Sequence, residues 1–307
     1  MTFDAKTARN WSSLNHQMAL AERHFGPAGE AMIARWLCKE IERCNDPEFS
    51  RLFSDYIVLD GIVQADYNHR LVRSRHGEML AGIRFYRRNV AHPFIEVIAH
   101  SFSDLNALKG AVASEWSSFT PAHLRLTAPA QSLPTRDALL DISIHFASYA
   151  EMAETGLAPV DLARWDQVEA AATKARDVYD ELFQDNPELD QAIDAAQFSD
   201  LESCRQAGGL YAICPGLGDL FAGILAVRPA SIDWIEGDEI VEEFILPQLR
   251  GKGLAARAQH TLALERQARK TALIGTIDRR NGASRQTAIH AGRPERLRKV
   301  FLPLDQP

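Results

Sequence analysis

The segment Pro247-Gln248-Leu249-Arg250-Gly251-Lys252-Gly253 places two glycines one residue apart, beside two cations, at the start of the helix-forming run Leu254–Gln259. Glycine in the first turn of a helix costs about 1 kcal/mol relative to alanine, so the pair asks for a reason. The N-terminus of a helix offers unpaired N–H groups and partial positive charge, which favour phosphate. Glycine lets that backbone approach the oxygens with no side chain in the way. Arg250 and Lys252 add charge-assisted contacts. The segment therefore reads as a pyrophosphate cradle. It is no Walker loop, because GxxxxGK[ST] is missing, and no Rossmann fingerprint, because the strand before it belongs to an antiparallel run. The plainer alternative is a glycine-rich turn that opens a surface helix.

Just upstream lie Glu242 and Glu243. A carboxylate beside an amine can serve as general base, directly or through water. Consecutive strand residues point to opposite faces, so only one of the two can face a substrate cleft. Glu242 is the first choice, since Glu243 shares a face with Val241 and Ile245. The histidines at 92, 100, 123 and 145 show no HExxH or similar ligand spacing, so no metal is expected. The GxG of CPGLGD (214–219) stands between two strands and reads as a hairpin turn.

These residues need elements to hold them. Residues 14–44 read as helix. YIVLDGIVQA (56–65), HRLVRSR (69–75), MLAGIRFYR (79–87) and FIEVIAHSF (94–102) read as antiparallel strands. A helix capped by Ser103 or Asp104 follows, then strands at HLRLTAP and LLDISIHFASY. Gly and Pro near 152–162 mark a boundary, giving domains 1–155 and 156–307. The second half starts with helices at LARWDQVEAAATKARDVYDELF and PELDQAIDAA. Strands GGLYAIC, LFAGILAVR and EIVEEFIL come next, then the glycine-opened helix, the strand TALIGTI, a helix from Asn281 and the strand LRKVFLPL. The two halves share an order of elements, which suggests a duplication.

EEFILPQLRGKGLA resembles motif A of the GNAT superfamily, the GCN5-related N-acyltransferases that use acyl-CoA. The pattern is carried by Ile245 and Pro247, then Gln248, Gly251 and Gly253. NGASRQTAIHAGRPE resembles motif B through Asn281, Ser284 and Gly292. The resemblance covers about residues 165–307, while the first half has a similar strand order and no glycine cradle. It implies an α+β protein of two GNAT-like domains, each a mixed, mostly antiparallel twisted sheet flanked by helices, the first a degenerate copy without cofactor binding. It implies that the backbone of Phe244, Ile245 and Leu246 pairs with the pantetheine arm. N–H groups from Leu249 through Arg250, Gly251, Lys252, Gly253, Leu254 and Ala255 would hold the pyrophosphate. Asn281 and Ser284 would lie beside the thioester, and the strand of Glu242 and Glu243 would splay from TALIGTI. One departure stands out. Many members carry a Tyr acid seven residues after the motif B Asn, where this chain has Ala288. Ser284, His290 or water would have to protonate the leaving thiolate, and His290 lies about 200° round the helix from Ala288.

The implied activity is acyl transfer, chiefly acetyl, from acetyl-CoA or another acyl-CoA as co-substrate to an amine of a small molecule. Two readings compete with it: a non-catalytic acyl-CoA-binding or regulatory protein on the same scaffold, and a CoA-thioester enzyme of another reaction type. A net charge of -7 without a long basic block disfavours a nucleic-acid partner. No signal core or apolar run of membrane-spanning length is seen, and four cysteines form no CxxC pair, so a cytoplasmic protein with free thiols is expected. A homodimer is compatible with all of this.

Overall fold

Glycine and proline decide how the first elements break. The computed structural model describes residues 10–216, 220–269 and 271–304. The expected helix of 14–44 is two, α1 (Asn15–Phe25) and α2 (Pro27–Glu42), because Gly26 takes φ 58° and Pro27 starts a new first turn. α3 (Pro47–Ser54) is capped by Asp46. Residues 56–65 form no strand: Tyr56 and Val58 are 82% and 90% exposed, and Gly61 turns the chain with φ 76°. Ile57, Leu59 and Ile62 pack against the core of unit 1 from an irregular loop without pairing to a strand, so composition alone misled here.

Contacts divide the chain into two units, Met1–Asp141 with Leu297–Pro307, and Ile142–Arg296. In unit 1, β1 (Arg70–Ser74), β2 (Gly77–Phe85) and β3 (Pro93–His100) run antiparallel. α4 (Leu105–Glu115) leads to β4 (His123–Pro129), which is parallel to β3. In unit 2, β6 (Asp161–Arg164) pairs with β7 (Leu210–Cys214), β7 with β8 (Gly223–Ile232) and β8 with β9 (Ile235–Ile245), all antiparallel. The helix crossing from β9 to the parallel strand β10 (Ala272–Asp278) starts at the glycines. Each set is closed by a strand remote in sequence. β5 (Leu139–Ser148) lies antiparallel to β10 through residues 142–148, and β11 (Glu295–Pro303) lies antiparallel to β4 through residues 297–303. The expected boundary at 155/156 thus falls inside unit 2, and the last strand belongs to unit 1.

The helices of unit 2 also differ in detail from the sequence reading. Leu162 to Arg164, expected as helix, form β6, and the helix α6 begins at Val168 (Val168–Asp185), after the short α5 (Tyr149–Ala153). α7 is only Pro187–Asp190, and α8 (Phe198–Gln206) was not anticipated, since it buries only Leu201 and Cys204. α9 (Leu254–Arg266) and α10 (Gly282–His290) stand where expected. α9 packs on one face of the sheet with Leu225, Val227 and Leu273, while α6 and α8 pack on the other with Ile224, Ala226 and Phe244. Part of the 214–219 turn lies outside the described residues. Among the described residues no helix is long and apolar enough to cross a membrane.

The two units differ at one telling point. α4 has an acidic N-cap, Asp104, whose side chain accepts from the Asn106 N–H at 2.9 Å. α9 has Gly253 as N-cap, with no side-chain cap and no acidic residue in its first turn. We expect Asp104→Ala to lower unit 1 stability by about 1 kcal/mol in urea unfolding, as lost N-caps do.

Candidate functional site

The site grows from a fork in the sheet of unit 2. β9 pairs with β10 only at Leu273↔Asp238 and Ile274↔Glu239. Beyond that point β9 runs on to Ile245 and β10 to Asp278, and the strands part. Asp238 pins the closed end. It accepts from the Tyr149 hydroxyl at 2.6 Å and pairs with Arg266, which also donates to the Tyr211 hydroxyl at 2.9 Å. All four side chains are buried.

Backbone direction then decides what lines the open edge. The Leu246 N–H donates to Ala222 O at 2.8 Å, toward β8. Alternate residues of a strand point their N–H groups to opposite sides, so Ile245 and Glu243 direct theirs to the side that β10 has left. Of Phe244, Ile245 and Leu246, only Ile245 offers its amide to the opening. The Arg250 Nε donates to Ile245 O at 3.2 Å, which lays its guanidinium at the mouth. A bulge interrupts β9: Ala226 opposes Glu242 and Val227 opposes Ile240, leaving Val241 as the extra residue. The simple alternation used in the sequence reading fails there. Val241 packs on the α6 and α8 side, whereas Ile245 packs under α9.

The two carboxylates have different surroundings. Glu242 is buried on the α6 side and takes the Tyr179 hydroxyl at 3.0 Å, the Ala196 N–H at 2.9 Å and the Glu243 N–H at 3.0 Å. Burial raises its pKa, and these donors oppose the rise. Glu243 lies on the α9 side. Its Oε2 accepts from Gln259 Nε2 at 2.8 Å, and Gln259 Oε1 in turn accepts from Arg293 Nε at 3.3 Å. Its Oε1 is sealed from the surface and accepts no hydrogen bond from the described residues. Burial pushes Glu243 up to about 7, although the Arg293 charge and the Gln259 amide pull the other way. Burial likewise brings Arg293 down to about 10. Arg293 lies against Gly275 of β10, where a Cβ would meet its guanidinium at 2.8 Å.

The glycine loop closes the site at the end of β9. A 3-10 turn, Pro247–Leu249, leads to Arg250, and Gly251 and Gly253 adopt φ 76° and 69°. A Cβ at either would meet nothing within 4 Å, so the backbone faces open space. Gln248, Arg250 and Lys252 are exposed. Leu254 is buried in the core below, and Ala255 lies at the helix start. The N–H groups that open α9 are thus presented without a cap or an acid, which fits a phosphate group. At the far strand, Asn281 caps α10 by accepting from the Ser284 N–H at 3.1 Å. Ala288 is buried and His290 exposed, as their helical spacing implies.

The sequence reading missed Gln259, Arg293 and Glu239. Gln259 and Arg293 act on Glu243 across long sequence separations that leave no local mark. Glu239 is the last β9 residue paired before the fork, and burial raises its pKa. Its position at the start of the expected strand was the only cue.

Among solved structures, the chain is similar to a GCN5-related N-acetyltransferase from Sphaerobacter thermophilus, with 12% identity, 88% of this chain and 92% of that one covered, and a TM-score of 0.49. It is also similar to a GNAT-family acetyltransferase from Colwellia psychrerythraea, at 12% identity, 84% and 95% coverage and a TM-score of 0.48. A tandem GNAT protein from the clavulanic acid biosynthesis pathway gives 12% identity, 86% and 97% coverage and a TM-score of 0.39. No protein-family model and no curated protein matches the sequence. The topology on its own terms is α+β in both units: antiparallel strands, a crossing helix, then a parallel neighbour that parts from the strand before it.

Proposed function

We propose that unit 2 binds acyl-CoA and transfers its acyl group, chiefly acetyl, to an amine of a small molecule. The observation that carries this reading is the uncapped, glycine-lined start of α9 at the end of a strand whose edge has opened. The N–H groups from Gly251 to Ala255 would hold the pyrophosphate, with Arg250 and Lys252 adding charge. The Ile245 N–H would pair with an amide of the pantetheine arm. When bound, the thioester supplies an activated acyl carbon. The amine attacks that carbon, a C–N bond forms, the C–S bond breaks, and the thiolate takes up a proton.

Glu243 suits the role of base better than Glu242. A base needs a free lone pair and a pKa near the working pH. Glu243 keeps Oε1 without a donor and sits near 7, whereas Glu242 accepts three hydrogen bonds that tie it to α6 and to Ala196. In this reading Glu242 is a positioning residue and Glu243 accepts the ammonium proton. Ala288 offers no acid, so the thiolate is protonated by solvent or by Ser284.

The test is calorimetric titration with acetyl-CoA, longer acyl-CoAs and free CoA, then a thiol-release screen over small amines. Micromolar binding and turnover support the reading, and no binding of any CoA species overturns it. Binding with no turnover on any amine would favour the non-catalytic alternative. Because the proton acceptor must be ionised, we expect the thiol-release rate to rise with pH and level off above about 7. A rate that is flat between pH 5.5 and 8 would remove Glu243 from this role.

A further inference from the structure

Unit 1 repeats the fork of unit 2, and something already stands in it. β3 pairs with β4 from Phe94↔His123 to Val97↔Leu126, and β3 then continues to His100 without β4. β3 also carries a bulge, between Leu80↔Ala99 and Ala81↔Val97. The Ser101 N–H donates to Glu78 O at 2.9 Å, toward β2, just as the Leu246 N–H donates toward β8 in unit 2. The His100 N–H therefore points to the side that β4 has left, as that of Ile245 points to the side that β10 has left.

That His100 N–H donates to the Ser13 hydroxyl at 2.8 Å. Ser13 lies in a 3-10 turn, Ser12–Leu14, which is anchored by two apolar neighbours: Trp11 is 5% exposed and Leu14 is fully buried. At the start of α4, the helix that follows β3, Asp104 holds an N–H of the first turn with its carboxylate. An anion and a polar group thus occupy, from within the chain, the two positions that unit 2 leaves to a phosphate and to an arm amide.

We propose that the turn Trp11–Leu14 is an intramolecular ligand of unit 1, seated in the slot where unit 2 takes its cofactor, so that each chain binds one acyl-CoA. The turn supplies the hydroxyl acceptor for the open strand edge, and its two apolar side chains keep it there. The Asp104 carboxylate repels phosphate from the start of α4, the helix that follows β3. The stoichiometry rests on the reading of unit 2 given above; the seating of the turn does not.

Two measurements on the full chain separate these points. Amide exchange of His100 is followed in the unmodified protein and in Ser13→Ala. Loss of the hydroxyl is expected to speed that exchange roughly tenfold while amides of β10 are unchanged. An unaltered His100 rate would overturn the proposal. Acetyl-CoA is titrated in parallel into the unmodified protein and into Gly251→Asp. One site per chain, lost in Gly251→Asp, is expected. A second site, or one that survives Gly251→Asp, would show that unit 1 accepts the cofactor and would overturn the proposal. If the unmodified protein binds no acetyl-CoA, the reading of unit 2 fails, and the His100 exchange still decides whether the turn is the occupant.

Discussion

Gly251→Asp is expected to weaken acetyl-CoA binding at least a hundredfold, about 3 kcal/mol, with no loss of fold. The size comes from charge. A carboxylate about 4 Å from a pyrophosphate oxygen, at the effective dielectric of a protein surface, is repelled by about 4 kcal/mol. The added side chain also stands where the cofactor would be, because a Cβ at Gly251 points into open space. That same openness keeps the protein folded. The substitution meets no neighbour, and its cost is that of a left-handed residue at φ 76°, roughly 1 kcal/mol, a conformation that aspartate tolerates better than most. Calorimetry measures the binding and circular dichroism the fold. Affinity within threefold of the unmodified protein would mean that the glycines merely shape a turn.

Glu243→Gln is expected to lower the thiol-release rate by about a hundredfold to ten-thousandfold, the usual range for a lost general base. Binding of acetyl-CoA should change little, because the amide preserves the shape and can still accept from Gln259. Glu242→Gln should cost less in rate and more in stability, since Glu242 holds Tyr179 and Ala196 to β9. The reverse ranking of rates would transfer the role to Glu242. A stability signature accompanies the kinetic one. Glu243 is raised from its ordinary range to about 7 in the fold, so the native state holds its proton more tightly than the unfolded chain. Its contribution to stability is complete below about pH 4.5 and is lost as pH rises through 7. Glu243→Gln should therefore flatten the decline in stability between pH 5 and 8, which unfolding titrations at several pH values would read.

The cofactor loop was legible because it is local. Pro247, the glycines and the helix behind them lie within nine residues, and both the φ angles and the missing cap follow from residue types at fixed spacing. The strands that alternate around β2, β3, β8 and β9 were legible for the same reason. What failed was either non-local or composed against its environment. YIVLDGIVQA has strand composition and no neighbouring strand to pair with. Leu162–Arg164 precedes a helix and borrows its pattern, yet pairs with Tyr211–Ile213. The bulge at Val241 shifted which side chains share a face, so the choice between Glu242 and Glu243 could not be made by alternation. The Gln259 and Arg293 side chains that surround Glu243 come from α9 and from the turn after α10, and no window of sequence contains all three.

The exchange of closing strands sets an order of assembly during synthesis. Unit 2 is one continuous stretch, from Ile142 to Arg296, and every strand it needs has left the ribosome once that stretch has emerged. Unit 1 starts first and is completed after unit 2, because β4, paired with β3 on one side, finds its neighbour on the other side among residues 297–303. The edge of β4 stays unpaired throughout the making of unit 2, and an unpaired edge invites pairing with other chains. A chain cut short before Leu297 would keep the glycine loop and the fork while leaving its N-terminal sheet unfinished, so truncated products of this protein should aggregate through the unit that lacks the proposed chemistry.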